Sequence, residues 1–410
     1  MRSPNILNNS VELFDRLIDW ETSLTPRETF LNTVTNEDGL RIKYGTDITA
    51  PTLHIGHAVN LRVMREMQNI GHKVVFLLGG FTTLIGDPTD KLKARSAPDL
   101  VDMQVNQDAF IDQVKTILNF EDKDAFEIRN NIEWWGGIDE KGTISLLEFF
   151  QTLGDITLSL LASRDMFRRR QENNEPIRMS EMLYPVVQGY DSVMMESDIT
   201  VVGSDQLFNE NMGRMLQKKA GQREQMIVCT KVTPGLDGGP KQSKSTGNYV
   251  GIADDASTMY NKVMLLNDEL TKEWLEVYTN IPLVEVNFMI KEQSHDPISL
   301  KQNLAYSVTE MFHGSDNAAI AQEEFQRKLR GEKPIDPVNL NYKQEDSLKT
   351  TLQRAGYKSG NLNQFILDRS ISIISDGVEK VLSIDDLNNK TALGDIIRIG
   401  KNKYFRLTPE

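Results

Sequence analysis

Between Arg41 and Leu78 the spacing of apolar residues changes twice. Arg41–Gly45 is short, β-prone and ends on glycine. From Leu53 the apolar positions fall at Ala58, Leu61, Met64, Met67 and Ile70, the period of one helix face. Gly71 stands where a helix takes a terminal glycine. Lys73–Leu78 is then a continuous apolar run, which suits a strand covered on both faces of a parallel sheet. The stretch predicts strand, loop, helix and strand, closed by Gly79-Gly80 and followed by Gly86-Asp87-Pro88.

The same reading extends along the chain. Val11, Leu13, Phe14, Leu17 and Ile18 predict an amphipathic helix with Ser10 as its cap, and Asn36–Gly39 a turn. Asp99–Leu118 reads as a helix and Phe126–Arg129 as a short strand. Residues 144–173 read as mostly helical. Their cluster Arg164, Arg168, Arg169 and Arg170 reads first as a solvated face, and second as a contact for a phosphate backbone. Met182–Val193 predicts a further helix, and residues 198–205 and 226–229 two more strands. Pro234–Pro240, with three glycines and two prolines, is a loop. Ala256 to Phe325 is helical in pattern, and Arg330–Asn341 reads as a linker. Residues 342–410 are short and mixed and end in a basic hairpin across Gly394–Leu407.

Composition narrows the class. A chain of 410 residues implies two or three domains, and 26% charged with 39% hydrophobic residues is ordinary for a globular protein. One cysteine, Cys229, excludes a disulfide scaffold and fits a reducing compartment. No apolar run is long enough to span a membrane, and the N-terminus has no signal-peptide core, so a cytoplasmic protein is expected. The net charge is −13, yet residues 342–410 carry eleven Lys/Arg against nine Asp/Glu, a local +2. Contact with nucleic acid is expected there.

The candidate chemistry begins at the predicted helix start, His54-Ile55-Gly56-His57. Helix N-termini offer unpaired N–H groups and a partial positive charge, which suits phosphate. Two imidazoles there can add donors, and Gly56 lets a flat adenine ring approach the backbone. The His-x-x-His spacing also serves metals, or nothing. The chain has only five histidines, and no Cys or carboxylate cluster beside these two completes a zinc set, so no dedicated metal site is expected. Lys241-Gln242-Ser243-Lys244-Ser245, flanked by glycines, reads as a mobile, cation-tipped loop or as a plain solvated turn.

Together the helix-start HxGH, the KxSKS loop and the α/β frame resemble a class I aminoacyl-tRNA synthetase. The segments GDPTDK, NIEW, YPVVQGYD, GSDQLFN and KQSKSTGNY, in this order, look like a bacterial-type tyrosyl-tRNA synthetase, over nearly the whole chain. The resemblance implies an α/β fold. A Rossmann-like nucleotide-binding catalytic domain would occupy 1–240, with an inserted dimerisation segment. The signature loop and a helical, anticodon-side domain would follow at 241–330. A small α+β RNA-binding domain of ribosomal-protein type would occupy 342–410. It also implies a homodimer acting on L-tyrosine, ATP and tRNA(Tyr), with Mg2+ carried by the ATP.

Residue by residue, the resemblance gives His54, His57 and Thr49 to the ATP phosphates, Gly56 to the adenine and Asp47 to the nucleotide pocket. Lys241 and Lys244 would close over the departing pyrophosphate, with Ser245 beside them, and Lys91 and Arg95 would reach it from another segment. Asp191 would accept from the tyrosine phenol. Asp87, Tyr184 and Gln188 would hold its amino group. Gly203, Asp205 and Gln206 would hold the adenylate's ribose and the substrate, and Asn131 and Trp134 would line the outer shell of the tyrosine pocket. Departures are Lys43 where many relatives have tyrosine, Ile48 for proline, Val202 for the first glycine of a pair and Gln242 for methionine. The arginine-rich helix expected in the last domain is reduced to Arg369. The alternatives are a tryptophanyl-tRNA synthetase, which shares both signatures, and a non-catalytic RNA-binding relative.

Overall fold

The computed structural model describes residues 4–48, 52–87, 100–136, 143–239, 241–243, 246–293, 296–330, 338–343, 346–355, 357, 359–375, 378–391, 393–400 and 403–409. The chain divides into two units, Met1–Ser315 and Asp316–Glu410.

The first unit is built on a six-stranded sheet. Its strands are β1 (Ile18–Asp19), β2 (Arg41–Thr46), β3 (Lys73–Leu78), β4 (Phe126–Asn130), β5 (Ile199–Val202) and β6 (Met226–Thr230). Their spatial order is β1-β6-β5-β2-β3-β4. All neighbours are parallel except β1, which pairs with β6 antiparallel at one edge. The apolar run of β3 is buried from Val74 to Leu78, and all of β5 is buried, as expected for strands covered on both faces. Helix Ile55–Asn69 carries the chain from β2 to β3 and buries Ala58, Leu61, Val63, Met64 and Met67. Gly71 follows it with φ of +87°, a backbone conformation that glycine adopts without strain. The strand order runs outward in both directions from the β2–β5 pair. A doubly wound sheet opens a crevice at the C-terminal ends of two such strands.

Some local expectations change. Ser10 lies inside helix Pro4–Leu17 rather than at its start, and its hydroxyl donates to Glu66 on a packed helix instead of capping its own. Residues 144–173 break into three short helices, Leu146–Leu153, Leu158–Ala162 and Asp165–Glu172. Ser145 and Thr157 cap the first two. The arginine cluster is not one solvated face. Arg168 and Arg169 are exposed, whereas Arg164 and Arg170 are buried, the latter paired with Glu181 at 3.1 Å.

Four helices, Ala256–Met264, Thr271–Tyr278, Leu283–Glu292 and Pro297–His313, complete this unit. Two buried arginines finish the end of Thr271–Tyr278. Arg16 donates to the carbonyls of Glu276 (2.9 Å), Ile281 (2.8 Å) and Thr279 (2.8 Å). Arg62 donates to the carbonyls of Val277 and Thr279 and to Asn280 Oδ1. Helix ends leave four carbonyls without intrahelical partners, and cations suit that end. Burial, with Arg16 close by, lowers the Arg62 guanidinium to about 9.

The second unit holds helix Ser315–Leu329 from its second residue onward and a five-stranded sheet. Its strands are β7 (Val338–Tyr342), β8 (Ile371–Ser375), β9 (Val378–Val381), β10 (Ile396–Ile399) and β11 (Lys403–Pro409), in the order β7-β11-β10-β8-β9. The expected hairpin is β10–β11, with Ile397 opposite Phe405. The segment read as a linker ends in a strand, because β7 pairs parallel with β11 and closes the sheet. Tyr342, Leu348, Leu352, Leu362, Ile371, Ile397 and Leu407 form the core. The helix Ser359–Leu367 carries no arginine or lysine.

Candidate active site

A cavity of about 480 Å3 opens at the C-terminal ends of β2 and β5. One end faces the start of helix Ile55–Asn69. His54 is the residue at that helix boundary, and its backbone N–H donates to His57 Nδ1 at 3.3 Å, with the two rings 3.9 Å apart. Gly56 fits between them because a Cβ there would stand 2.8 Å from His54 Nδ1. The chain after the lysine loop is sewn to this helix start. Ile55 donates to the Val250 carbonyl (2.9 Å), and His54 bridges Gly251.

The loop itself is anchored from beneath. Gln242, in place of the usual methionine, is buried and donates to the Tyr278 hydroxyl at 2.9 Å. Asn248 accepts from the Ser243 N–H (2.9 Å) and donates to Asp237 (2.7 Å). Lys241 is exposed and lines the cavity. Thr49, Lys91, Arg95, Lys244 and Ser245 lie outside the described residues.

The other end is buried. Asp191, 2% exposed, accepts from Trp134 Nε1 (2.9 Å), Trp135 Nε1 (3.1 Å) and Asn131 Nδ2 (3.3 Å). Burial raises its carboxyl to about 7, against the pull of Lys43 and these three donors. Asn131 and Trp134 thus stand behind Asp191 and hold it. The Tyr184 hydroxyl donates to Asp47 Oδ2 at 2.9 Å, and Thr82 donates to the other oxygen at 2.6 Å. Burial and the charges of Asp47 and Asp87 push the Tyr184 phenol well above its usual range, so it keeps its proton and donates.

A chain of side-chain amides joins the remaining residues. Gln206 donates to Asp87 (2.9 Å) and Asp205 (3.1 Å). Asn209 donates to Gln206 (2.9 Å) and Gln188 (2.8 Å), and Gln188 donates to Glu210 (3.0 Å). Gly203 leaves room for Asp205, whose Oδ1 would stand 2.5 Å from a Cβ there. Val202 takes the place of a glycine by packing on Ile227 and Cys229. The buried Cys229 thiol is pushed up to about 11, which keeps it inert.

The fold therefore gathers His54, Gly56, His57, Asp47, Asp87, Tyr184, Gln188, Asp191, Gly203, Asp205, Gln206 and Lys241 around one cavity. Sequence reasoning missed Trp135, Thr82 and Glu210, and left Lys43 as an unexplained departure. Among the described residues, no three His, Cys, Asp or Glu side chains are grouped to hold a metal ion.

A family model described as tRNA synthetases class I (W and Y) matches residues 35–330. A "Tyrosine--tRNA ligase" of Nitratidesulfovibrio vulgaris is 37% identical over 381 residues, covering 90% of this chain and 91% of that one. The chain belongs to the bacterial-type tyrosyl-tRNA synthetases. A "Tyrosine--tRNA ligase" of Mannheimia succiniciproducens is similar at 34% over 374 residues, again 90% and 91% of the two chains. The fold is that of solved members. A C-terminally truncated mitochondrial tyrosyl-tRNA synthetase of Aspergillus nidulans superposes with a TM-score of 0.63 at 24% identity, over 78% of this chain and 93% of that one. A tyrosyl-tRNA synthetase of Archaeoglobus fulgidus complexed with L-tyrosine gives 0.59 at 16% identity, over 77% and 99%. At the β2–β5 junction, residues of both signature segments, His54, Gly56 and His57 on one side and Lys241 and Gln242 on the other, line the same cavity.

Proposed function

We propose that this chain activates tyrosine with ATP and transfers it to tRNA(Tyr). The observation that carries the reading is one cavity with two unlike ends, a buried carboxylate at Asp191 and a helix start bearing His54 and His57. Tyrosine lies with its phenol donating to Asp191 and its amino group near Asp87, Tyr184 and Gln188. Its carboxylate then faces the His54–His57 end. A carboxylate oxygen bonds to the α-phosphorus of ATP, the bond from that phosphorus to the bridging oxygen breaks, and pyrophosphate leaves. A hydroxyl of the tRNA's terminal ribose next attacks the carbonyl carbon and releases AMP.

Positioning and charge stabilisation supply the rate. The imidazoles of His54 and His57 donate to phosphate oxygens at the positive end of their helix, beside which Gly56 leaves room for the adenine. Asp47, held by Tyr184 and Thr82, closes the nucleotide side. Lys241 neutralises the leaving pyrophosphate, with Lys244, Lys91 and Arg95 assigned there by family position, Ser245 beside the lysines, and Thr49 assigned to the ATP phosphates. Mg2+ arriving with ATP would offset phosphate charge.

Residues 342–410, the more basic part of the chain, are assigned to tRNA contact. The inserted segment exposes Leu146, Leu147, Phe150, Leu158 and Met179, each more than 60% accessible, and a second copy of the chain is the partner we assign to it. A sedimentation mass of one chain removes that part of the reading. A single cysteine, buried, suits a cytoplasmic setting.

The decisive experiment is ATP–pyrophosphate exchange by the purified chain with each amino acid in turn. Exchange with tyrosine alone is expected. Exchange with tryptophan instead moves the chain to the sister specificity, and exchange with none removes the catalytic reading.

A further inference from the structure

The lysine loop and the helix that carries His57 are joined through one buried glutamine. Gln242 is 5% exposed, although Lys241 before it is exposed. Its amide nitrogen donates to the Tyr278 hydroxyl at 2.9 Å and, at 3.4 Å, to Thr233 Oγ1. Those two hydroxyls are themselves 2.5 Å apart. The Gln242 amide oxygen accepts from the Val250 N–H at 3.5 Å, and the Val250 carbonyl accepts from Ile55, the first residue of the helix, at 2.9 Å.

Tyr278 is a fixed point. It is 2% exposed, and its ring meets Trp274 edge-on with centroids 4.9 Å apart. The carbonyls on either side of it, those of Val277 and Thr279, accept from Arg62 of helix Ile55–Asn69. Lys241 is thereby bracketed. Its carbonyl accepts from Asn248 Nδ2 at 3.4 Å, and the side chain that follows it is pinned to Tyr278.

Methionine, which the family resemblance places at 242, has a thioether that accepts weakly and donates nothing. Glutamine replaces an undirected contact with a directed one. A buried amide is costly unless its groups are met. Without the Tyr278 hydroxyl, the Gln242 amide nitrogen keeps only Thr233 at 3.4 Å. Its better partner is then water, which it reaches by leaving the pocket and drawing Lys241 along.

We propose that Gln242 is a positioning residue, whose hydrogen bond to Tyr278 sets where Lys241 stands on the cavity and ties that cation to the helix bearing His57. Gln242 and Tyr278 act on the reaction through Lys241. The catalytic part of this role rests on the tyrosine-activation reading, whereas the pin itself does not.

The test is a cycle of Gln242→Met, Tyr278→Phe and the double variant in the full chain, with two readouts. One is tryptic cutting after Lys241, identified by fragment mass and scored against cutting at other sites, which a global loss of stability raises in step. A protease needs an extended segment around the bond it cuts, so this cut follows the population in which Gln242 has left its pocket. The other is single-turnover adenylate formation beside an equilibrium tyrosine titration. Tyr278→Phe should raise the cutting and lower the adenylate rate by about tenfold each, with tyrosine affinity changed less than about twofold. In the Gln242→Met background the same loss of the hydroxyl should move either readout by less than about twofold. An effect of equal size in both backgrounds overturns the inference, because that is what a purely structural Tyr278 gives. Gln242→Ala deletes the pin and keeps the Tyr278–Thr233 pair, which guards against a Tyr278 variant that fails to fold. It should raise the cutting likewise, and unchanged cutting in it also overturns the inference. A wild-type chain without tyrosine exchange removes the tyrosine-activation reading, and the cutting pattern still decides the pin.

Discussion

The two ends of the cavity are built by opposite means. At the ring end, Asp191, Lys43 and Glu210 are all at most 2% exposed, and every one is held by named partners. At the phosphate end, Lys241 is exposed, and the charge comes from a helix start and a loop. Selection between two rings that differ by one hydroxyl needs a dry site, because an unmet buried partner is costly only where water cannot replace it. Stabilising charge that appears in passing needs donors that can arrive and depart with the product. In the proposed reaction, rigidity serves recognition and accessibility serves turnover.

Separate functions should give separable losses. The largest effect is expected for Lys241→Ala, which should slow adenylate formation by about a hundredfold or more while tyrosine affinity changes less than about twofold. Rapid-quench single turnovers and an equilibrium tyrosine titration measure the two quantities, and a parallel loss would break the division between the ends. Asp191→Ala comes next. It should cut the preference for tyrosine over phenylalanine by roughly ten- to a hundredfold, read from pyrophosphate exchange with each amino acid. A preference that survives puts the phenol's acceptor elsewhere.

The smallest effect is a pH dependence confined to the ring end. The Asp191 carboxyl sits at about 7, above its ordinary 3.8, because it is buried. Without ligand, the folded chain therefore keeps a proton that the unfolded chain loses between those values. This group's contribution to stability is full below about pH 4 and is lost as pH rises to about 7. A phenol that donates to Asp191 favours its charged form, so tyrosine should bind more tightly as pH rises from about 6 to 8 and release up to about one proton near neutrality. Calorimetry in two buffers of different ionisation enthalpy counts that proton. Phenylalanine, having nothing to donate, should release none.

Much of this was legible in the sequence where the physics is local. The apolar period of Ala58 to Ile70 and the unbroken run to Leu78 gave helix and strand directly, and HIGH fell at the helix start as expected. The hairpin near the C-terminus did too. What stayed hidden depends on partners far along the chain. Lys43 looked like a defect because Ser192 and Glu210, which make it a member of a network, are about 150 residues or more away. Arg170 looked like part of a solvated face until the turn after its helix brought it to Glu181. Ser10 had the chemistry of a cap, yet the helix continues upstream of it and its hydroxyl reaches Glu66 instead. Trp135, next to the recognised Trp134, carries no separate signal, because only the turn at Asn131–Gly136 aims both indoles at one carboxylate.

The two buried arginines at the end of helix Thr271–Tyr278 bear on how the chain is made. Arg16 finds its acceptors about 260 residues downstream, and Arg62 more than 210. During synthesis the first helix has emerged long before those carbonyls exist, so its guanidinium must stay hydrated and its packing provisional. The N-terminal helix can be locked only after residue 281 has left the ribosome. Long-range closure of this kind slows folding, and it leaves the first helix without its final partners until more than two-thirds of the chain has been translated.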